Sequence, residues 1–155
     1  MTAYSVPRAV VDRFCKAYAA RDAGAVAPFL HDDVRWTISG PVDLLPFCGT
    51  WYGRPAVVDL IGSLVPSVIR VFSFVPQSLL VDGDQLAMLN RLTAKRSDDG
   101  RVISYRVANF MRFQNDKVVD NLSLLDSFDA VEQVLGHPLS VHAGAAAESG
   151  DLVAV

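Results

Sequence analysis

Three asparagines, Asn90, Asn109 and Asn121, with Ser123 beside the last of them, are the residues whose chemistry stands out in this 155-residue sequence. Each interrupts a run of alternating apolar residues. A carboxamide offers two donor hydrogens and one acceptor oxygen but does not titrate, so it can orient or polarise a neutral oxygen and cannot shuttle a proton. The carboxylate best suited to supply that proton transfer is Asp43, beside Leu44 and Leu45 in a stretch rich in proline and glycine. Asn109 and Asp43 are therefore the candidate catalytic residues: Asn109 would polarise an oxygen while Asp43, or a water, moves the proton. The competing reading makes Asp43 a solvated loop acid. It leaves the asparagines bonded to one another or to trapped water, because buried polar groups must find partners.

Successive strand residues point to opposite faces, which fixes what would surround these groups. Along 104–113 an inward Asn109 takes Tyr105, Val107, Met111 and Phe113 with it and sends Arg106 and Arg112 outward. On the preceding strand Leu86, Met88 and Leu92 bring Asn90 in, leaving Arg91, Thr93 and Lys95 outside. On the last strand Val119, Asn121, Ser123 and Leu125 would face in. The result is an apolar cavity with three amides and a hydroxyl, to which Tyr18 and Trp36 add aromatic surface. Such a lining suits a small hydrophobic ligand bearing carbonyl or hydroxyl groups.

Other reactive residue types carry less. Cys15 and Cys48 are far apart, form no Cys-x-x-Cys pair and have no histidine at ligand spacing, so no metal site, no cofactor and no cysteine nucleophile are expected. His31 follows a short helical pattern, where an imidazole complements the carboxyl end of the helix dipole. His137 and His142 belong to the C-terminal tail, and Asp126 and Asp129 to the start of the last helix.

The elements that must hold the cavity are legible from periodicity. Ser5 and Pro7 mark a helix start, and Val11, Phe14, Cys15 and Tyr18 recur at i, i+3, i+4 and i+7. Asp22 can cap a second helix with Val26, Phe29 and Leu30, after which Val34, Trp36 and Ile38 alternate as a strand. Residues 40–52 read as a long loop. Gly53 and Pro55 open a third helix with Val57, Ile61, Leu64 and Val65 inward, which Pro66 should end. Strands at 69–81, 85–96, 102–113 and 117–126, separated by turn signals, form a four-strand antiparallel meander. Ser127 can cap a last helix through Leu135, stopped by Gly136 and Pro138. The domain is expected to span 1–136, and the Ala- and Gly-rich tail 137–155. Helices grouped before an antiparallel sheet give an α+β fold.

Hydrophobic residues make up 51% of the chain against a net charge of −3, which excludes an acidic disordered protein and leaves no basic surplus for nucleic acid. Apolar stretches are broken well before about 18 residues, and the first residues lack a basic segment followed by an apolar one, so the expectation is a cytoplasmic protein with no membrane partner.

Arg13 and Phe14, the Asp32-Asp33 pair before the first strand, the segment Asn109 to Phe113, and Lys117 to Val119 resemble the nuclear transport factor 2-like superfamily. That superfamily includes the ketosteroid isomerase-like and SnoaL-like polyketide cyclase families, and the likeness covers about residues 8 to 126. The resemblance implies a cone-shaped curved sheet packed on three N-terminal helices around a ligand pocket, and a homodimer formed through the outer sheet face. Ketosteroid isomerases use an aspartate base with a tyrosine and a protonated aspartic acid. Matched residue by residue, the tyrosine falls at Phe14, the base at Ile38 and the acid at Asn109, which adds Phe14 and Ile38 to the pocket. A general base contributes about 10²- to 10⁴-fold and an oxyanion donor about 10²- to 10³-fold, so steroid isomerisation by that mechanism is not expected. The acidic base of SnoaL-like cyclases and the arginine–aspartate network of limonene epoxide hydrolases are not evident either.

Two functions follow. The first is a SnoaL-like pocket protein carrying out isomerisation, cyclisation, hydration or dehydration of a hydrophobic carbonyl compound. The second is a homodimeric binding or interaction module without chemistry. It is motivated by the missing acid–base pair and by an apolar outer face of Phe110, Leu122 and Leu124.

Overall fold

The computed structural model describes residues 3–140. The tail from 141 to 155, His142 included, lies outside the described residues.

The first helix, α1 (Arg8–Ala19), buries Val10, Val11, Phe14 and Tyr18, the stripe its spacing predicts. It closes in a Schellman motif, with Asp22 N–H on the Ala17 carbonyl at 3.4 Å and Arg21 N–H on the Tyr18 carbonyl at 3.0 Å. The left-handed position of that motif, normally glycine, is Arg21 at φ 55°. An L residue there gives up about 1 kcal/mol. Asp22 then caps α2 (Ala23–Val26) by accepting from Ala25 N–H at 3.1 Å.

Six strands form one sheet in the order β2-β1-β6-β5-β4-β3. They are β1 (Leu30–Ser39), β2 (Gly49–Tyr52), β3 (Ile69–Asp82), β4 (Gln85–Arg96), β5 (Val102–Gln114) and β6 (Lys117–Leu125). The four-strand meander is present with the expected turns, and β1 joins it by running parallel to β6. The helices close one face of this curved sheet, with a core that includes Phe14, Trp36, Leu60, Tyr105 and Phe113. The α+β architecture is the one expected.

Several local expectations are corrected. The stretch 40–52 is not one open loop, because Gly49 to Tyr52 pair antiparallel with β1 and Leu45, Phe47 and Cys48 are buried. Trp51 Nε1 holds the approach to β2 by donating to the Phe47 carbonyl at 3.2 Å. Pro66 does not end the third helix: α3 (Arg54–Asp59) runs through a π-helical turn, Leu60–Leu64, into α4 (Val65–Val68). Pro66 enters in the first turn of α4, where its missing N–H is least needed, and the nearby Leu64 and Pro66 carbonyls accept from Ser67 and Ser97 hydroxyls. His31 does not cap a helix either. It lies in β1, where its Nδ1 accepts from Asp33 N–H at 3.1 Å across the irregular register between Leu30 and Arg35.

In β6 the inward parity breaks at a bulge. Arg112 pairs with Asp120 but Phe113 pairs with Val118, so Val119 is the extra residue and Val118 is the buried one. Beyond the bulge Asn121 and Ser123 face in as expected. The last helix, α5 (Ser127–Leu135), starts from Asp126 as N-cap instead of Ser127, and Gly136 stops it in the left-handed region at φ 78°.

Candidate functional site

The alternation of β4, β5 and β6 brings the three asparagines and Ser123 together inside the cone, all buried. Cross-strand register does this: Asn109 lies opposite Ser123 on one side and Met88 on the other, and Met111 lies opposite Asn121. Asn90 Nδ2 donates to Asn109 Oδ1 at 3.2 Å. Asn109 Nδ2 donates to Ser123 Oγ at 2.7 Å and to Asn121 Oδ1 at 3.4 Å, and Asn121 Nδ2 donates to Ser123 Oγ at 3.0 Å. The amides therefore bond to one another and to Ser123, as in the competing reading of the sequence, but not completely.

Some bonding capacity is left over. Asn90 Oδ1 is buried with no partner, a deficit of about 1–3 kcal/mol. Ser123 Oγ already accepts two amide hydrogens, which fills the acceptor capacity of a hydroxyl, so its own hydrogen remains free to donate. Ser123 also lines the interior cavity. The network thus ends in a hydroxyl at the cavity wall, and donation to it by two amides strengthens it as a donor.

That cavity is bounded by Tyr18 of α1, Arg21 behind it, Ile38 of β1, Phe47 of the loop, Phe74 of β3, Leu92 of β4, Tyr105 and Val107 of β5, and Ser123 and Leu125 of β6, with Val65 and Ile69. Its free volume is about 30 Å³, room for a water or two. A ligand must displace side chains to enter.

Aromatic contacts shape the walls. Tyr18 stacks on Phe14 at 5.7 Å, lies 5.7 Å from Trp36 and meets Phe74 edge-on at 5.3 Å. The Arg21 guanidinium covers this cluster, 4.9 Å from the Tyr18 ring centre and 5.6 Å from that of Phe74. Burial pushes the Tyr105 phenol well above its ordinary range; the Arg21 charge opposes the shift, and Cys48 and Tyr18 add to it. Tyr105 is therefore a neutral O–H donor at ordinary pH. Burial likewise pushes the Cys48 thiol up to about 11, so it is not a thiolate nucleophile.

Of the residues expected in the pocket, Tyr18, Ile38, Tyr105 and Ser123 line the cavity. Phe14, Trp36, Met88, Asn90, Asn109, Met111 and Asn121 are buried in the surrounding wall. Met88 is held there by the Cys15 thiol, 3.5 Å from its sulfur. Asn109 stands behind Ser123 and reaches the cavity through it. Asp43 is exposed and does not border the cavity. Among the described residues the buried polar side chains are Asn90, Asn109, Asn121 and Ser123, with no carboxylate, and no group of three or more metal-ligating side chains assembles.

Sequence reasoning missed Arg21, Phe47 and Phe74. Phe74 follows Phe72 at strand spacing, and Leu45, Phe47 and Cys48 form an apolar cluster inside the presumed loop, so both carried a usable signal. Arg21 carried a different one: a long cationic residue directly before a helix-capping aspartate, where a glycine would end α1.

This fold and interior are matched by the SnoaL-like domain profile over residues 11–121. The chain belongs to the SnoaL-like family. Among solved structures, this SnoaL-like chain is similar to one from Rhodopseudomonas palustris termed a "putative isomerase", at 30% identity and TM-score 0.74, covering 83% of this chain and 97% of that one. It also matches an NTF2-like protein of unknown function from Burkholderia pseudomallei at 23% identity and TM-score 0.72, covering 82% and 95%. A protein with a ketosteroid isomerase-like fold from Catenulispora acidiphila, solved in complex with trimethylamine, shares the fold at 12% identity and TM-score 0.68, covering 86% and 96%. No curated protein matches the SnoaL-like chain. Among its described residues, no helix is long and apolar enough to cross a membrane.

Proposed function

We propose that the chain binds a small hydrophobic compound through a carbonyl or hydroxyl oxygen, which accepts hydrogen bonds from the Ser123 and Tyr105 hydroxyls. The observation that carries this reading is that Ser123 Oγ accepts from two amides, which leaves its own hydrogen to donate, and that Ser123 lines the same cavity as Tyr105. Paired donors in a site sheltered from water hold a carbonyl oxygen more tightly as negative charge develops on it, and each is worth about 10²- to 10³-fold in rate where a reaction generates that charge. The chemistry this suits is isomerisation, cyclisation or (de)hydration next to a carbonyl, with Asn109 positioning Ser123 and the proton carried by water or by the ligand itself. Asp43 is too exposed to serve as the interior base unless the loop that carries it rearranges.

The test is calorimetric titration with a series of hydrophobic aryl ketones. Ser123→Ala and Tyr105→Phe should each weaken binding by about tenfold, the size of one lost hydrogen bond at a desolvated oxygen. Binding unchanged in both variants, or no binding by the parent chain, rejects the reading.

A second reading, a homodimeric binder without turnover, draws support from the absence of a buried carboxylate among the described residues. It also draws on the exposed row Phe110, Leu122 and Leu124 on the outer sheet face, beside an open groove of about 460 Å³. If ketone titrations show binding and no ketone is consumed or isomerised on prolonged incubation, this reading takes precedence.

A further inference from the structure

Arg21 is the one charged side chain bordering the interior cavity. None of the ion pairs among the described residues involves it, and none of their side-chain hydrogen bonds uses its guanidinium. The nearest acid in sequence, Asp22, accepts from the Ala25 N–H through Oδ1 and forms no ion pair with Arg21. A guanidinium carries five N–H donors in a fixed fork. Here they are held over the faces of Tyr18 and Phe74 with no protein acceptor, at the edge of a space that is also lined by the hydroxyl-bearing residues Tyr18, Tyr105 and Ser123 and by no carboxylate.

The backbone gives a second, independent reason to look at this residue. Position 21 is the left-handed site of a complete Schellman motif, where glycine fits without strain, yet it holds an arginine at φ 55°. Strain of this kind persists where the surrounding structure over-determines it, and it clusters at ligand and active sites.

We infer that Arg21 is a specificity-determining residue and that the cavity takes an organic anion: a hydrophobic molecule whose carboxylate pairs with the Arg21 guanidinium at one end of the cavity while its body lies along the aromatic wall. The inference rests on the cavity being the ligand site, as proposed above, and narrows its ligand from hydrophobic oxygen compounds in general to hydrophobic acids. Chemistry favours a carboxylate because its two oxygens match the guanidinium fork in a bidentate, charge-assisted pair. The partly desolvated setting keeps that pair from being screened as it would be on an open surface. The Ser123 and Tyr105 hydroxyls are then left to receive a second oxygen of the same molecule, which points to keto acids and hydroxy acids with an apolar body.

The experiment uses a graded series of arylalkanoic acids and, for each, the uncharged primary amide of the same skeleton, titrated calorimetrically into the parent chain and into Arg21→Gly and Arg21→Lys. The parent should bind the best acid about tenfold or more tightly than its amide, the increment of one charge-assisted pair. Arg21→Gly should erase that preference while melting at the same or a higher temperature, because glycine suits the left-handed backbone. Arg21→Lys should restore part of the preference, since it keeps the charge and loses the fork. Equal binding of acid and amide by the parent, or a preference that survives in Arg21→Gly, overturns the inference. Amides that bind as well as acids, with the dependence on Ser123 and Tyr105 intact, overturn it while leaving the ligand site standing. Failure of every acid to bind while aryl ketones bind overturns the inference alone, and failure of acids, amides and ketones alike overturns both.

Discussion

The two faces of β5 differ in a way opposite to expectation. Its inner face puts Asn109 between Val107 and Met111, deep in the interior and bonded to Ser123 and two more amides. Its outer face puts Phe110 between Ala108 and Arg112, half exposed beside the exposed Leu122. A purely structural strand would place apolar residues inside and polar ones outside. Polar groups kept inside a core are costly unless bonded, and apolar groups kept outside are exposed to water, so each departure points to something beyond folding. Inside, that is a network ending in the Ser123 hydroxyl; outside, it is an exposed apolar row that the proposed homodimer would cover.

The contrast is broken most severely at Asn109. Asn109→Leu keeps the branching and heavy-atom count of the side chain, though it is bulkier, and removes every side-chain hydrogen bond the residue makes, stranding Asn90 Nδ2 and Asn121 Oδ1 in the core. Two unsatisfied buried groups should lower stability by about 3 kcal/mol or more, read from urea unfolding at constant m-value. A loss below about 1 kcal/mol would mean that water already satisfies these groups.

Tyr105→Phe separates function from folding on the same face. The Tyr105 phenol is raised by burial with no hydrogen bond opposing the shift, so deleting it removes no protein partner. Stability should stay within about 0.5 kcal/mol, while ketone affinity falls about tenfold and any turnover about 10²-fold. A large loss of stability with unchanged affinity would show that the hydroxyl serves the fold.

How much of this arrangement was legible beforehand depends on which force set each part. The inward amides and the outward arginines followed from strand period alone, since β4 and β5 run without an interruption of register. Val119 was misplaced because a bulge inserts one residue and reverses parity, and nothing in the local composition marks it. The role of Asn109 could be narrowed but not fixed from sequence: its three partners come from two neighbouring strands, and only their register shows that Ser123 is the group left facing the cavity. Arg21 was passed over because helix-end rules look for glycine there. β2 was hidden because four residues between turn signals are too short for a period to show.

Alkaline pH probes the same interior more gently. Burial pushes Cys15 and Cys48 from an ordinary 9.0 to about 11, with Asp12 adding to the rise at Cys15 and Arg8 opposing it. In the unfolded chain these thiols ionise near 9, whereas in the folded chain they hold their protons to about 11. Their contribution to stability is therefore complete below pH 9 and is lost as pH rises through 11. The urea midpoint should fall across that window, and fall less in Cys48→Ala, when both are followed at fixed ionic strength. Equal slopes in the two proteins would mean that Cys48 ionises as freely in the folded chain as in the unfolded one.

The smallest effect on folding is expected on the outer face, and that is what makes it informative. Phe110 is 50% exposed, with Ala87 and Leu122 as its cross-strand neighbours, so Phe110→Ser removes little buried area from a single chain. The stability of the dilute monomer should change by less than about 0.5 kcal/mol. Self-association should respond far more, because the row of Phe110, Leu122 and Leu124 becomes buried only when a second copy covers it. Sedimentation equilibrium of the parent chain at micromolar concentration should show dimer, and of the serine variant monomer. A parent that stays monomeric, or a variant that dimerises as well as the parent, removes the outer face from the assembly and leaves its apolar row without a role.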